Sequence, residues 1–100
     1  MKVFLDDWRT VPPGWTHADT VEKCVELLKT KRVVEISLDW DLEWTDEEHS
    51  GMDVVRFLEA HPHLLPERFA VHTSCPDAAR EMLSRLRDIA VRNDARASEV

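Results

Sequence analysis

The feature that most constrains this chain is a short apolar segment that ends in two carboxylates. Residues 33–38 are mostly aliphatic, and Asp39 and Asp41 follow them with one residue in between. Because successive side chains of a strand alternate between faces, the two carboxylates share one side if the extended backbone continues. Open α/β sheets place their ligands at the carboxyl ends of buried parallel strands. The segment therefore predicts a buried strand that carries a site at its end.

Two other segments have the same organisation. Residues 2–5 are apolar after Lys2 and run into the acidic pair Asp6-Asp7, and residues 68–72 run into Thr73-Ser74. Each of the three segments is short enough for a strand and finishes in polar groups. We expect the three ends to be neighbours at one edge of a sheet.

Apolar residues at helical spacing lie between and after these strands. They predict helices over about residues 19–30, 50–61 and 76–92. Asp19 is expected to cap the first helix, with Glu22 as its capping-box partner. Pro62 ends the second helix, and Pro76 opens the third, where its missing N–H costs nothing. The organisation predicted is a single domain over residues 1–92, followed by a frayed polar tail over residues 93–100.

Composition limits the classes of function. The 100 residues carry a net charge of −7, which argues against non-specific DNA binding through a basic face. No apolar run is long enough to cross a membrane, and the first residues lead directly into a strand, so a cytoplasmic protein is expected. Cys24 and Cys75 have no partner at metal-binding spacing and are expected to be reduced structural thiols.

Strands that alternate with helices predict a parallel α/β sheet. A dinucleotide-binding fold needs a glycine-rich turn after its first strand, and this chain has two aspartates there instead. Carboxylates at neighbouring strand ends repel one another unless a cation lies between them. The pattern therefore favours a three-layer receiver-like architecture that binds a metal.

Several motifs, in this order, resemble those of the cyclic-phosphate-processing receiver domain family, within the response-regulator receiver superfamily. They are residues 5–9 (LDDWR), Gly14-Trp15 after the prolines, residues 36–42 (ISLDWDL), residues 51–54 (GMDV) and residues 71–76 (VHTSCP). The resemblance spans residue 2 to about residue 85. It implies a flavodoxin-like sheet of order 2-1-3-4 in which the Pro-rich loop replaces the first receiver helix. It also implies processing of a cyclic phosphate.

The chain departs from the family at two positions. Trp40 stands between the two aspartates, where the family pattern has His, and Cys75 stands before the proline, where it has Asn. Chemistry that requires those two side chains is not carried over to this chain. The sequence also lacks a fifth strand ending in the Lys that pairs with the phosphoryl group in signalling receivers, which disfavours ordinary aspartyl-phosphate signalling.

The candidate metal ligands are the four strand-end carboxylates, Asp6, Asp7, Asp39 and Asp41. All-oxygen ligation suits Mg²⁺ or Mn²⁺ together with a substrate phosphate. Structural readings remain open beside this one: Asp6 or Asp7 can cap a turn, and Asp41 can face water.

Candidate catalytic residues are Asp39 and His72, where the imidazole can act as a general base or acid. Candidate phosphate-binding residues are Arg9, Thr73 and Ser74. A core histidine bonded to backbone and a simple N-cap at Ser74 are the corresponding structural alternatives.

The remaining histidines and the tryptophans carry weaker expectations. His17, His49, His61 and His63 lack ligand spacing and are expected at the surface. Trp8, Trp15, Trp40 and Trp44 fall near the predicted strand ends and can stack on a base or ribose, although apolar packing is the commoner use of Trp.

Two functions are therefore predicted as alternatives. The first is a metal-dependent phosphoesterase that processes a cyclic phosphate of a nucleotide or RNA end. The second is a non-catalytic divergent receiver that acts as a phosphoacceptor or as a protein-interaction module. The first needs a small phosphate-bearing ligand as partner. The sequence does not indicate the oligomeric state.

Overall fold

The structure is a computed structural model that describes residues 1–6, 11–39, 51–73 and 75–98, with side chains up to residue 94. Its elements in chain order are β1 (Lys2–Leu5), β2 (Thr16–Ala18), α1 (Val21–Thr30), β3 (Glu35–Leu38), α2 (Gly51–Ala60), a 3₁₀ turn (Pro62–Leu64), β4 (Arg68–Val71) and α3 (Pro76–Ser98). The predicted elements are all present. Within the described ranges, no helix has both the length and the apolar character needed to span a bilayer.

Two predicted details are wrong. The cap of α1 is Thr20 instead of Asp19: Thr20 has the extended backbone that precedes a helix, and its hydroxyl accepts from Lys23 N at 3.1 Å. Helix α3 continues to Ser98, past the expected end near Arg92, because neither Gly nor Pro interrupts the sequence after Pro76. The division between a domain over residues 1–92 and a tail over residues 93–100 stays a prediction.

The four strands form one parallel sheet in the order β2-β1-β3-β4. The register aligns Leu5 with Leu38 across β1 and β3, and Leu38 with Val71 across β3 and β4. The receiver-like α/β fold and the order 2-1-3-4 predicted from sequence are confirmed.

The apolar core lies on one face of this sheet. Alternation along β1 and β3 sends Val3, Leu5, Ile36 and Leu38 to that face, and all four are fully buried. Each of the three helices contributes side chains to the same core. The three helices of the described residues therefore pack on the same face of the sheet.

The segment before β2 forms a turn. Pro12, Pro13, Gly14 and Trp15 form a tight turn in which Trp15 N donates to Pro12 O at 3.2 Å. Gly14 has φ +86°, and a type II turn requires a positive φ at this position. A turn stands here in place of the first receiver helix, so residues 11–15 add no helix to the opposite face.

Candidate functional site

Three polar residues continue the sheet by one position beyond its strands. Asp6, Asp39 and His72 directly follow β1, β3 and β4. Their main-chain N–H groups donate at 3.1, 3.2 and 2.9 Å to the carbonyl oxygens of Ala18, Leu5 and Leu38, respectively. Because the preceding residues are register partners, these three lie side by side in one row. Alternation places their side chains on the face opposite the helices.

The three side chains of this row converge on one point. One carboxylate oxygen from Asp6, one from Asp39 and one ring nitrogen from His72 lie within 4.8 Å of one another. Asp6 is 0% exposed and Asp39 is 6% exposed, whereas the side chain of His72 is 18% exposed. The three strand ends are therefore neighbours, as predicted, and they bring Asp6, Asp39 and His72 together.

The His72 ring is held on three sides. Its Nε2 lies 3.1 Å from Oδ2 of Asp6, and its Nδ1 lies 2.6 Å from Oγ of Ser37. The ring also stacks on Phe4, with centroids 4.3 Å apart and an interplanar angle of 12°. From β4 the imidazole thus reaches across β3 to β1. Ser37, which the sequence analysis did not single out, is part of the site.

An aromatic pair forms the wall next to His72. Phe4 contacts Trp15 edge-on, with ring centroids 5.8 Å apart and an interplanar angle of 80°. Lys2 Nζ lies 5.7 Å from the centre of the Trp15 ring, within the range of a cation–π contact. Trp15 packs against protein groups on its Phe4 and Lys2 sides, which is the commoner of the two uses considered for it.

His17 lies at the site, although sequence spacing placed it at the surface by default. It is partly buried, and its Nε2 donates to the main-chain carbonyl oxygen of Asp6. The contact arises because His17 is the register partner of Phe4 on the neighbouring strand. The sheet order and the alternation of side chains along the strands predict that His17 lies beside Asp6. Residue spacing alone does not predict this position.

The segment after His72 uses its polar groups locally. Thr73 Oγ1 accepts from Cys75 N at 3.2 Å, and α3 begins at Pro76 as predicted.

Cys75 is exposed and Cys24 is buried, and both are free thiols. Burial raises the pKa of the Cys24 thiol to about 12, which keeps it protonated and unreactive. The burial of Cys24 agrees with a structural thiol, and the structural role of Cys75 stays a prediction.

Gly51, the first residue of α2, allows the helix to approach the site closely. A Cβ atom on Gly51 would lie 1.8 Å from the carbonyl oxygen of Asp39 and 3.0 Å from Cε of Met82. Only glycine permits this contact without a shift of the backbone at Asp39. Arg85 of α3 donates a hydrogen bond to Glu59 of α2, which joins the two helices. This hydrogen bond raises the pKa of Arg85.

Several predicted site residues lie outside the described residues. They are Asp7, Arg9, Asp41 and Ser74, and with them Trp8, Trp40, Trp44 and His49. Their roles in metal binding, phosphate binding, stacking or capping stay predictions.

Comparison with known proteins identifies one relationship. A protein-family model described as the cyclic-phosphate processing receiver domain matches residues 1–88. No curated protein and no solved structure matches the chain.

Proposed function

The chain belongs to the cyclic-phosphate processing receiver domain family, and from that premise we propose that it hydrolyses a cyclic phosphate in a metal-dependent reaction. The substrate class is a cyclic phosphate of a nucleotide or of an RNA end. The observation that carries the proposal is the convergence of Asp6, Asp39 and His72 within 4.8 Å at the carboxyl edge of the sheet.

The residues present fit a hard divalent cation. Two carboxylates with 0% and 6% exposure lie in one cluster, and a cation between them removes their mutual repulsion. Carboxylate oxygens suit Mg²⁺ and Mn²⁺, and a nearby imidazole is tolerated better by Mn²⁺. Asp6 and Asp39 would hold the ion, joined by Asp7 or Asp41 as the sequence predicts. Bound there, the ion would polarise a phosphoryl oxygen and offset its negative charge.

His72 is suited to move the proton that this reaction requires. Hydrolysis forms one P–O bond to water and breaks one P–O bond of the ring, and a proton passes from the water to the departing alkoxide oxygen. His72 is the most exposed of the three clustered side chains, and its two ring nitrogens have fixed neighbours in Asp6 and Ser37. A positioned imidazole contributes about 10²–10⁴-fold in such a transfer. Arg9, Thr73 and Ser74 are the proposed phosphate contacts.

A turnover assay tests this function. The wild type is incubated with 2′,3′-cyclic and 3′,5′-cyclic nucleotides and with RNA ending in a cyclic phosphate, each with Mg²⁺ or Mn²⁺. We expect at least one substrate to be opened to a phosphomonoester, and Asp39→Asn to lower its turnover by about 100-fold or more. Asp88→Asn makes the same chemical change at an exposed position of α3 and serves as the control. Unchanged turnover in Asp39→Asn would remove the assignment.

A second candidate function remains because Asp39 follows β3, an inner strand of the sheet. A receiver that acts as a phosphoacceptor carries its aspartate at this position. This phosphoacceptor function predicts that a small phosphodonor adds one phosphoryl group to the wild type and none to Asp39→Asn. It also predicts that the protein opens no cyclic phosphate. Mass spectrometry of the intact protein distinguishes this outcome from hydrolysis.

A further inference from the structure

We propose that Ser37 is a positioning residue that holds the His72 ring in the orientation that presents Nε2 to the acidic cluster. The catalytic consequence rests on the function proposed above, whereas the orientation itself does not. The starting observation is the chain of contacts from Ser37 Oγ to His72 Nδ1, at 2.6 Å, and from His72 Nε2 to Asp6 Oδ2, at 3.1 Å.

The donor and acceptor roles in this chain follow from its chemistry. An ionised carboxylate can only accept hydrogen bonds, so the proton of a neutral His72 ring lies on Nε2 and points at Asp6. Nδ1 then has a lone pair and needs a donor. The Ser37 hydroxyl is 2.6 Å away and supplies its proton. Ser37 therefore stabilises the ring form that presents Nε2–H to the acidic cluster.

The position of Ser37 on the sheet suits this role. Ser37 is 7% exposed and is the register partner of Phe4 on β1 and of Ala70 on β4. The His72 ring reaches over β3 to stack on Phe4, so the β3 side chain beneath that path must be small. A serine meets both demands because it is small and carries a hydroxyl group. The hydrogen bond fixes one edge of the ring, and the stack fixes its plane.

The hydroxyl also permits the reverse arrangement during turnover. A serine can accept as well as donate, so Ser37 can receive a hydrogen bond from Nδ1–H when Nε2 needs its lone pair. His72 can thus exchange its Nε2 proton without leaving Nδ1 unsatisfied in a largely buried position. An alanine at this position offers neither role.

The chain contains a matched internal control for the tautomer. His61 Nδ1 lies 3.0 Å from the main-chain carbonyl oxygen of Phe57, which can only accept. A neutral His61 therefore carries its proton on Nδ1, opposite to the assignment for His72. Long-range ¹H–¹⁵N NMR correlations distinguish protonated from unprotonated ring nitrogens at both residues in one spectrum.

The experiment is this NMR measurement on metal-free, substrate-free protein at a pH where the rings are neutral. We expect the wild type to show Nε2–H for His72 and Nδ1–H for His61. Ser37→Ala should shift the Nδ1 resonance of His72, which loses its hydrogen bond, and leave its Nε2–H and the His61 pattern in place, whereas Ser37→Thr should preserve the whole His72 pattern. Nδ1–H at His72 in the wild type, or an unchanged Nδ1 resonance in Ser37→Ala, would overturn the proposal. The wild-type spectrum decides even if a variant does not fold.

Turnover then separates this inference from the proposed function. If the chain hydrolyses a cyclic phosphate, Ser37→Ala should lower kcat by about 10- to 100-fold with little change in KM, the range for partners that orient a reactive histidine. Ser37→Thr should retain most of the activity. If the tautomer result holds and no cyclic phosphate is hydrolysed, the proposed function fails and the positioning role stands.

Discussion

The two faces of the sheet use the same strands for different purposes. On the helix-covered face, Val3, Leu5, Ile36 and Leu38 are fully buried in one apolar core. On the opposite face, polar and aromatic contacts join His72 to Phe4, Ser37 and Asp6, and Asp39 lies in the same cluster. Residues adjacent in sequence therefore belong to different environments.

Strand alternation therefore separates the residues expected to carry the chemistry from those expected to contribute most of the free energy of unfolding. Buried aliphatic groups contribute free energy in proportion to the area removed from water, about 25 cal/mol per Å². A hydrogen-bonded polar row gains little net free energy, because its groups exchange water partners for protein partners. Substitutions on the two faces should consequently have different signatures.

The largest expected contrast is between two neighbours on β3. Leu38→Ala removes a fully buried side chain and should lower the free energy of unfolding by about 2–5 kcal/mol. Ser37→Ala should cost about 1 kcal/mol, the net value of one hydrogen bond. Urea unfolding followed by circular dichroism measures both. Equal losses at the two positions would show that the faces are not energetically distinct.

A substitution at Gly51 tests whether a change in α2, on the helix-covered face, affects Asp39 in the polar row. Helix propensity alone predicts that Gly51→Ala stabilises the protein by about 1 kcal/mol. Since the added Cβ would lie 1.8 Å from the Asp39 carbonyl oxygen, we expect destabilisation by about 1–3 kcal/mol instead. Because the added Cβ atom would displace Asp39, Gly51→Ala should also weaken metal binding. The sign of the change in unfolding free energy decides between the two expectations, and a stabilised Gly51→Ala protein would contradict the close contact.

The effect that is smallest at pH values just above 9.0 concerns the thiol on the helix-covered side. Burial raises the pKa of Cys24 from 9.0 to about 12, so above pH 9.0 the unfolded chain releases a proton that the folded chain retains. Stability from this group is complete below pH 9.0 and is lost as the pH rises towards 12.

We therefore expect the unfolding free energy of the wild type to fall more steeply over this window than that of Cys24→Ala. Urea unfolding at a series of pH values gives both slopes. Cys75→Ala removes an exposed thiol and should keep the wild-type slope. Parallel slopes for the wild type and Cys24→Ala would indicate that Cys24 titrates as an ordinary thiol.

Much of this organisation follows from sequence because strand ends in a parallel sheet meet at one edge. Apolar segments predicted β1, β3 and β4, and the polar residues after them predicted that the three strand ends are neighbours, as the cluster of Asp6, Asp39 and His72 shows. These inferences need only local patterns and the general geometry of α/β sheets.

The other features of the site and fold depend on strand register and on the choice between adjacent capping residues. The spacing of residues in the sequence does not specify either one. Ser37 and His17 join the site through pairing across strands, and a sequence pattern does not specify which residues pair. Thr20 rather than Asp19 caps α1 because the two adjacent residues are chemically similar caps and the backbone selects one.

The most direct test of the central claim is calorimetric titration of Mn²⁺ and Mg²⁺ into the wild type, Asp39→Asn and the control Asp88→Asn. If Asp6 and Asp39 hold a cation, the wild type and the control should each bind with saturable one-site behaviour, and Asp39→Asn should lose this binding. Binding of equal strength in Asp39→Asn, or no binding to the wild type at millimolar metal, would contradict the claim that these carboxylates hold a cation.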